Sequence, residues 1–306
     1  MVNILQVKTI QSGAFKTLIE ALQTLLNDVN FQFTPLEPIK QIQVNDDSSE
    51  EYDGSDNSSS GDSRNFIENN QEIESQKKVG GLKINAVNKN KTVYIHVKLD
   101  GDKFDYYECS ETEITLGINL SSLYRNLKCM TNVDTITLSV EDESREELKI
   151  MLENSEKNQK ITSRLNLVDL EKLEYNIKPI KFPYKIDMPS VDFHNHCKNI
   201  STFSNKMEII CTNKKIEFKC KGEQGVVCIE IGQTDNGLSI ESTSSETKIV
   251  QGEFELKYLV AFTKCTNLGP SVSLFLENDC VLILKYDVAA LGDIKLCLAP
   301  NRKEED

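Results

Sequence analysis

The chain has 306 residues, 39% of them hydrophobic and none of them Trp, with a formal net charge of −13. That length suffices for one large or two ordinary domains, and no stretch approaches the roughly 18 to 20 apolar residues of a membrane span, so an intracellular protein without a membrane partner is expected. The nine cysteines are odd in number and contain no C-x-x-C pair, which reads as reduced thiols and not as a disulfide framework.

In chain order, Phe15, Leu18, Ile19, Leu22, Leu25, Leu26 and Val29 fall at helical spacing behind Ser12 as the expected N-cap. A segment from about 34 to 81 follows, containing "NDDSSEEYDGSDNSSSGDSRN", with Asp46, Asp47, Glu50, Glu51, Asp53, Asp56 and Asp62 before Arg64. It is too polar to bury a core and is expected to be disordered, either as a phosphorylation segment around Ser48 or as a solvated loop. Alternating strands are expected at 92–99, 134–140, 207–212, 215–221, 272–277 and 281–288. Between them lies a short helix near 120–129 with Leu120, Leu123, Tyr124 and Leu127 as its apolar stripe, and another near 255–265 burying Leu256, Leu259 and Val260. The run "FHNHCKN" (193–199) invites a metal or thiol reading through His194, His196 and Cys197. On a helix successive residues diverge by about 100°, so a core stripe of Phe193, His196, Cys197 and Ile200 is the plainer reading.

An internal repeat organises these elements. "LSSLYRNLKCMTNVDTITL" lies on "LKYLVAFTKCTNLGPSVSL" at a constant offset of 136, as from Cys129 to Cys265. "FKTLIEALQTLL" lies more weakly on "FHNHCKNISTFS" at 178, as from Phe15 to Phe193. The two offsets differ by about the length of the acidic segment, so two copies of one unit, the first interrupted, explain both. Each copy reads as helix, strands, helix, strands, giving a strand-rich α+β fold. Lys16, Arg125, Lys128, Lys198, Lys257 and Lys264 lie on helices of this acidic chain, which suggests a local surface for a polyanion.

"EALQTLLND", "LGINLSSLYRNLKC", "LVDLEKL", "DMPSVDFHNHCKNIS", "YLVAFTKCT" and "LGDIKLCLAP" together make the chain resemble the proliferating cell nuclear antigen family of eukaryotic-type DNA sliding clamps. The resemblance implies an N-terminal clamp domain at 1–164 holding the insert, a connecting linker at 165–187 and a C-terminal clamp domain at 188–306. It also implies a homotrimeric, pseudo-six-fold ring around duplex DNA, acting without catalysis, cofactor or metal. Lumen-facing DNA contacts would come from Lys16, Arg125, Lys128, Lys198, Lys264 and Asn195. Ring closure would pair edge strands, matched here to 147–153 (Leu148, Ile150, Leu152) and 225–233 (Val227, Ile229, Ile231), although such alternation equally suits an internal strand. A pocket for short motifs of DNA polymerase, clamp loader and repair proteins would be lined by Val87, Thr92, Leu170, Tyr175, Ile177, Phe182, Val281, Leu298, Ala299 and Pro300. The insert would enter at the opposite end of its hairpin from that pocket. A checkpoint-type heterotrimeric clamp is the alternative, and a Cys/His hydrolase or metal protein a remote one. Richness in Asn, Lys and Ile hints at an AT-rich genome such as that of a large DNA virus, placing the clamp in a nucleus or a cytoplasmic viral replication site.

Overall fold

The computed structural model describes residues 2–36, 80–131, 134–172, 180–223, 225–242 and 248–301. The body of the acidic insert, with Ser48, lies outside the described residues. In the first half the order is β1 (Asn3–Thr9), α1 (Ser12–Gln23), β2 (Asp28–Thr34), β3 (Gly81–Val87), β4 (Val93–Asp100), β5 (Tyr106–Cys109), β6 (Ile114–Asn119), α2 (Leu120–Leu127), β7 (Thr135–Glu141), β8 (Ser144–Asn154) and β9 (Gln159–Asn166). The second half runs β10 (Tyr184–Pro189), α3 (Ser190–Ile200), β11 (Lys206–Cys211), β12 (Lys215–Gly222), β13 (Gly225–Gly232), β14 (Ser239–Ser242), β15 (Val250–Glu255), α4 (Leu256–Phe262), β16 (Ser271–Leu276), β17 (Leu282–Val288) and β18 (Gly292–Leu298). Among the described residues the two halves have the same order, one strand, a helix, five strands, a helix and three strands. This is the repeat carried into three dimensions.

The sheets repeat as well. β5-β1-β7-β8-β9 in the first half answers β14-β10-β16-β17-β18 in the second, and β4-β3-β2-β6 answers β13-β12-β11-β15. Two of these four sheets fuse, because β18 pairs antiparallel with β4 from Gly292↔Leu99 to Leu298↔Val93. Alternation sets the inner faces: Val93, Ile95, Val97 and Leu99 of β4 and Ile294, Leu296 and Leu298 of β18 are all buried. The insert leaves the core undisturbed because β2 and β3 still pair, with Thr34 opposite Gly81. Gly81 (φ +153°) and Gly80 allow that junction, since a Cβ on Gly80 would stand 2.0 Å from the Pro35 carbonyl oxygen.

The helices touch in series, α2 with α1, α1 with the 3-10 turn Thr263–Asn267, and that turn with α3 and α4. They form one continuous layer on the sheets. α1 starts differently from expectation: Ser12 is inside it and buried, its hydroxyl 3.5 Å from the Thr131 carbonyl, and Gln11 takes the cap position without a side-chain bond. It also ends earlier, at Gln23, where the Thr24 hydroxyl donates to the Ala21 carbonyl at 2.7 Å. Val29 belongs to β2, because Val29, Phe31 and Phe33 alternate inward there, a period the helical spacing overlapped. In α4 the fully buried residue beside Leu256 and Leu259 is Phe262, while Val260 is only half-buried.

Candidate functional site

Three surfaces carry the residues of interest: the outer side of the helix layer, the outer face of the fused sheet and the unpaired strand edges. On the helices, Arg125, Lys128, Lys198, Lys264 and Asn195 are exposed. Among the described residues no carboxylate lies within 4.0 Å of those four cations. They therefore present net positive charge locally on a chain of charge −13. Lys16 stands apart from them: its ammonium donates to the carbonyls of Lys128 (3.1 Å) and Met130 (2.8 Å) at the end of α2. A cation there satisfies carbonyls the helix leaves open and complements the negative end of its dipole. Lys257 is drawn back onto Glu255 and lies 4.7 Å from the centre of the Tyr258 ring.

The histidine-cysteine cluster is divided between three environments. Thr263 Oγ1 donates to the Val260 carbonyl at 2.8 Å and lies 2.9 Å from His194 Nδ1, which ties the half-buried His194 of α3 to the neighbouring turn. His196 is half-buried against Phe218, ring centres 5.8 Å apart, and burial lowers its pKa. Cys197 is fully buried, and desolvation pushes its thiol well above the ordinary range, so no thiolate is available for attack or ligation. Among the described residues no three His, Cys, Asp or Glu side chains converge as metal ligands.

The outer face of the fused sheet is apolar where the two halves meet. Strand pairing lines up Phe275, Ile283, Cys297, Tyr94 and Val87 on five adjacent strands, β16 to β3. All five are half-buried. Thr92, Ala299 and Val281 stand one step further along the same face, with Ala299 N–H donating to the Thr92 carbonyl at 2.9 Å, and Pro300 follows. Phe182 extends the strip, its ring centre 5.9 Å from that of Phe275. Leu298 does not line this face: the alternation of β18 sends it into the core, 1% exposed, and Cys297 takes its place outside. Tyr175 and Ile177 lie outside the described residues. Tyr94, Ile283 and Phe275 were absent from the expected set, although the alternation of "TVYIHVKL" and "VLILKYDV" carries the signal for the first two.

The stretch after β9 crosses to the edge of β6. Val168 N–H donates to the Gly117 carbonyl at 2.8 Å, Asn30 Nδ2 donates to the Glu171 carbonyl at 3.2 Å, and Lys172 pairs with Glu113 at 2.5 Å. Gly117 makes this approach possible, because a Cβ there would stand 1.9 Å from the Val168 carbonyl oxygen. Leu170 then borders a cavity of about 590 Å³ with Leu25, Leu26, Val87 and Asn88. The C-terminal segment repeats the crossing in the second half, where Asn301 N–H donates to the Glu253 carbonyl of β15 at 2.8 Å.

The strand edges correct one expectation. Leu148, Ile150 and Leu152 lie on β8, which is interior, paired on one side with β7 and on the other with β9. Their side chains are 0%, 0% and 4% exposed and belong to the core. The edge strand beside β8 is β9, and β13, with Val227, Ile229 and Ile231 half-buried, is an edge of its own sheet. The physical reason is that the strongest apolar alternation marks the middle of a sheet, and "QKITSRLN" at its rim is mostly polar.

Residues 66–175 match the family model of the proliferating cell nuclear antigen N-terminal domain, and residues 176–301 that of its C-terminal domain. The chain is also similar to a probable DNA polymerase sliding clamp of Acanthamoeba polyphaga mimivirus, 28% identical over 300 residues. That alignment covers 97% of this chain and 62% of the relative, so the chain spans about three fifths of the relative's length. Two domain matches in tandem, on a fold whose halves repeat strand for strand, establish that this chain belongs to the proliferating cell nuclear antigen family.

Proposed function

We propose that the chain is one subunit of a sliding clamp, a ring that encircles duplex DNA and tethers DNA polymerase and other replication and repair proteins, without catalysis or cofactor. The observation that supports the ring is the joint inside the chain. β18 pairs with β4, and by the repeat β9 is the copy of β18 and β13 the copy of β4. Both β9 and β13 are unpaired edges. A second copy can therefore repeat the internal joint head to tail, and such heterologous contacts close into a ring when the rotation allows. Three copies would give six similar units.

The same logic sets the register of this seam. Ser163 and Leu296 occupy equivalent rungs, opposite Ile150 and Leu284, and Val97 and Ile229 do so opposite Ile84 and Phe218. Transferring the internal pairs Ile294↔Val97 and Lys295↔His96 places Ile161 opposite Ile229 and Thr162 opposite Cys228 of the next copy. Lys160 then faces Glu230. The seam thus uses β9 with Val227, Ile229 and Ile231, in place of Leu148, Ile150 and Leu152.

The helix layer would line the ring, with Arg125, Lys128, Lys198 and Lys264 reaching phosphates and Asn195 beside them. Phosphate contacts carry no sequence information and weaken steeply with salt, as sliding requires. The apolar strip and the crossing segment after β9 would receive a short motif of polymerase or clamp loader. The working place is the site of DNA replication inside the cell, a nucleus or a cytoplasmic viral replication site. The test is loading onto nicked circular duplex followed by a single-cut nuclease: retention on the circle and release on linearisation are expected. Equal retention on linear DNA would overturn the reading, and assembly only with two different proteins would point to a checkpoint-type clamp.

A further inference from the structure

We infer that the partner segment docking on the apolar strip carries acidic side chains beside its apolar anchors, received by Lys285 and Lys295. This rests on the docking reading above. Next to the strip, strand pairing lines up Ser273, Lys285, Lys295, His96 and Asn85, again on β16, β17, β18, β4 and β3. Lys285 and Lys295 stand directly opposite each other on neighbouring strands, an arrangement that destabilises a sheet when nothing compensates it. Lys83 and Lys98 also stand opposite each other one step beyond, but there Asp100 compensates, 3.0 Å from the Lys98 ammonium.

The compensation available inside the chain is poor. Asp293 is shared, 3.8 Å from the ammonium of Lys285 and 3.8 Å from that of Lys295, and Asp287 is 3.7 Å from Lys285. All three separations exceed the roughly 2.7–2.9 Å of a charge-assisted hydrogen bond. Both aspartates lie on the far side of the lysines from the strip, since Asp287 and Asp293 pair in the next rung of β17 and β18. A segment seated on Ile283, Cys297 and Tyr94 therefore meets ammonium groups before it meets any of these carboxylates. The apolar strip on one side and the aspartates on the other disfavour a phosphate backbone, so the occupant is an acidic, apolar-anchored peptide and not nucleic acid.

The test uses the full chain and three labelled peptides with the same apolar and aromatic anchors, flanked by Glu, Ser or Lys. The Glu-flanked peptide is expected to bind about tenfold more tightly than the Lys-flanked one at low ionic strength, with the gap closing as screening shortens the range of exposed charges. In the Lys285→Gln, Lys295→Gln double variant the gap should vanish, while the Ser-flanked peptide binds within about twofold of its original affinity. The variant should unfold no more easily than the parent, because a like-charge pair has been removed. Anchored peptides that bind equally whatever their flanks would overturn this inference and leave the docking reading intact. Failure of all three to bind would sink the docking reading itself. Displacement of the peptide by duplex DNA in the parent, but not in the double variant, would assign the lysines to nucleic acid and overturn the inference.

Discussion

Gly117→Ala should detach the crossing segment from β6 without unfolding the body. The added Cβ would stand 1.9 Å from the Val168 carbonyl oxygen and 3.2 Å from Leu170 Cγ. Carbon and oxygen need about 3.2 Å, so the segment must retreat by more than 1 Å. The 2.8 Å bond from Val168 N–H to the Gly117 carbonyl cannot survive that retreat. Losing one such hydrogen bond costs about 1 kcal/mol, and residual overpacking adds about 1–3 kcal/mol. A local change of about 2 kcal/mol corresponds to a fall of roughly 30-fold in the protection of the Val168 amide. Native-state hydrogen exchange reads this directly, and a peptide bridging the strip and Leu170 should weaken in parallel. Gly232→Ala, where a Cβ meets nothing within 4 Å, is the control and should change neither. Unaltered Val168 protection in Gly117→Ala would refute the claim that this segment is pinned to β6.

Three further outcomes follow from the same geometry. Thr162→Cys should form an intermolecular disulfide with the exposed native Cys228, giving covalent species at multiples of 34.6 kDa on a non-reducing gel. Opposed residues of antiparallel strands sit about 4.5–5.5 Å apart, within disulfide range, whereas Ser163→Cys faces the other side of the sheet and should give none. Reversing the charge of Lys198 and Lys264 should shorten retention on circular DNA and flatten its salt dependence, while Lys257→Glu, already drawn onto Glu255, should have little effect. Glu217 lies 2.7 Å from Lys215 and 2.5 Å from Lys219, which hold its carboxyl down to about 2 from an ordinary 4.5. Its contribution to stability is complete above the ordinary value and is lost as pH falls from there toward 2, so Glu217→Gln should make the acid limb of an unfolding-against-pH curve shallower.

How much of this was legible in the sequence depended on the range of the interactions. The 136 offset carried the two-fold repeat because α2 and α4 begin at equivalent positions, Leu120 and Leu256, and bury equivalent leucines, Leu123 and Leu259, although Cys129 ends exposed and Cys265 buried. Phe193, Cys197 and Ile200 announced their buried stripe by helical spacing alone. Edge status did not show, since it depends on which strands meet across the whole chain. "LKIML" looked like a seam and is the middle of a sheet, while "QKITSRLN", which is mostly polar and was not among the expected strands, is the rim. The docking face was half legible: resemblance pointed to the segment 298–300, but only the phase of β18 tells that Leu298 is inside and Cys297 outside. The clustering of Lys285 and Lys295 had no signal in one dimension, because it arises from the pairing of β17 with β18.

Closure of the ring is the claim on which DNA encirclement, the β9–β13 seam and the role of the helix layer all depend. Light scattering on the purified chain alone measures it most directly. The account predicts a molar mass near three times 34.6 kDa, falling toward a single subunit when Ile161 and Ile229 are both replaced by Lys. A chain that stays at 34.6 kDa at every concentration tested would contradict it.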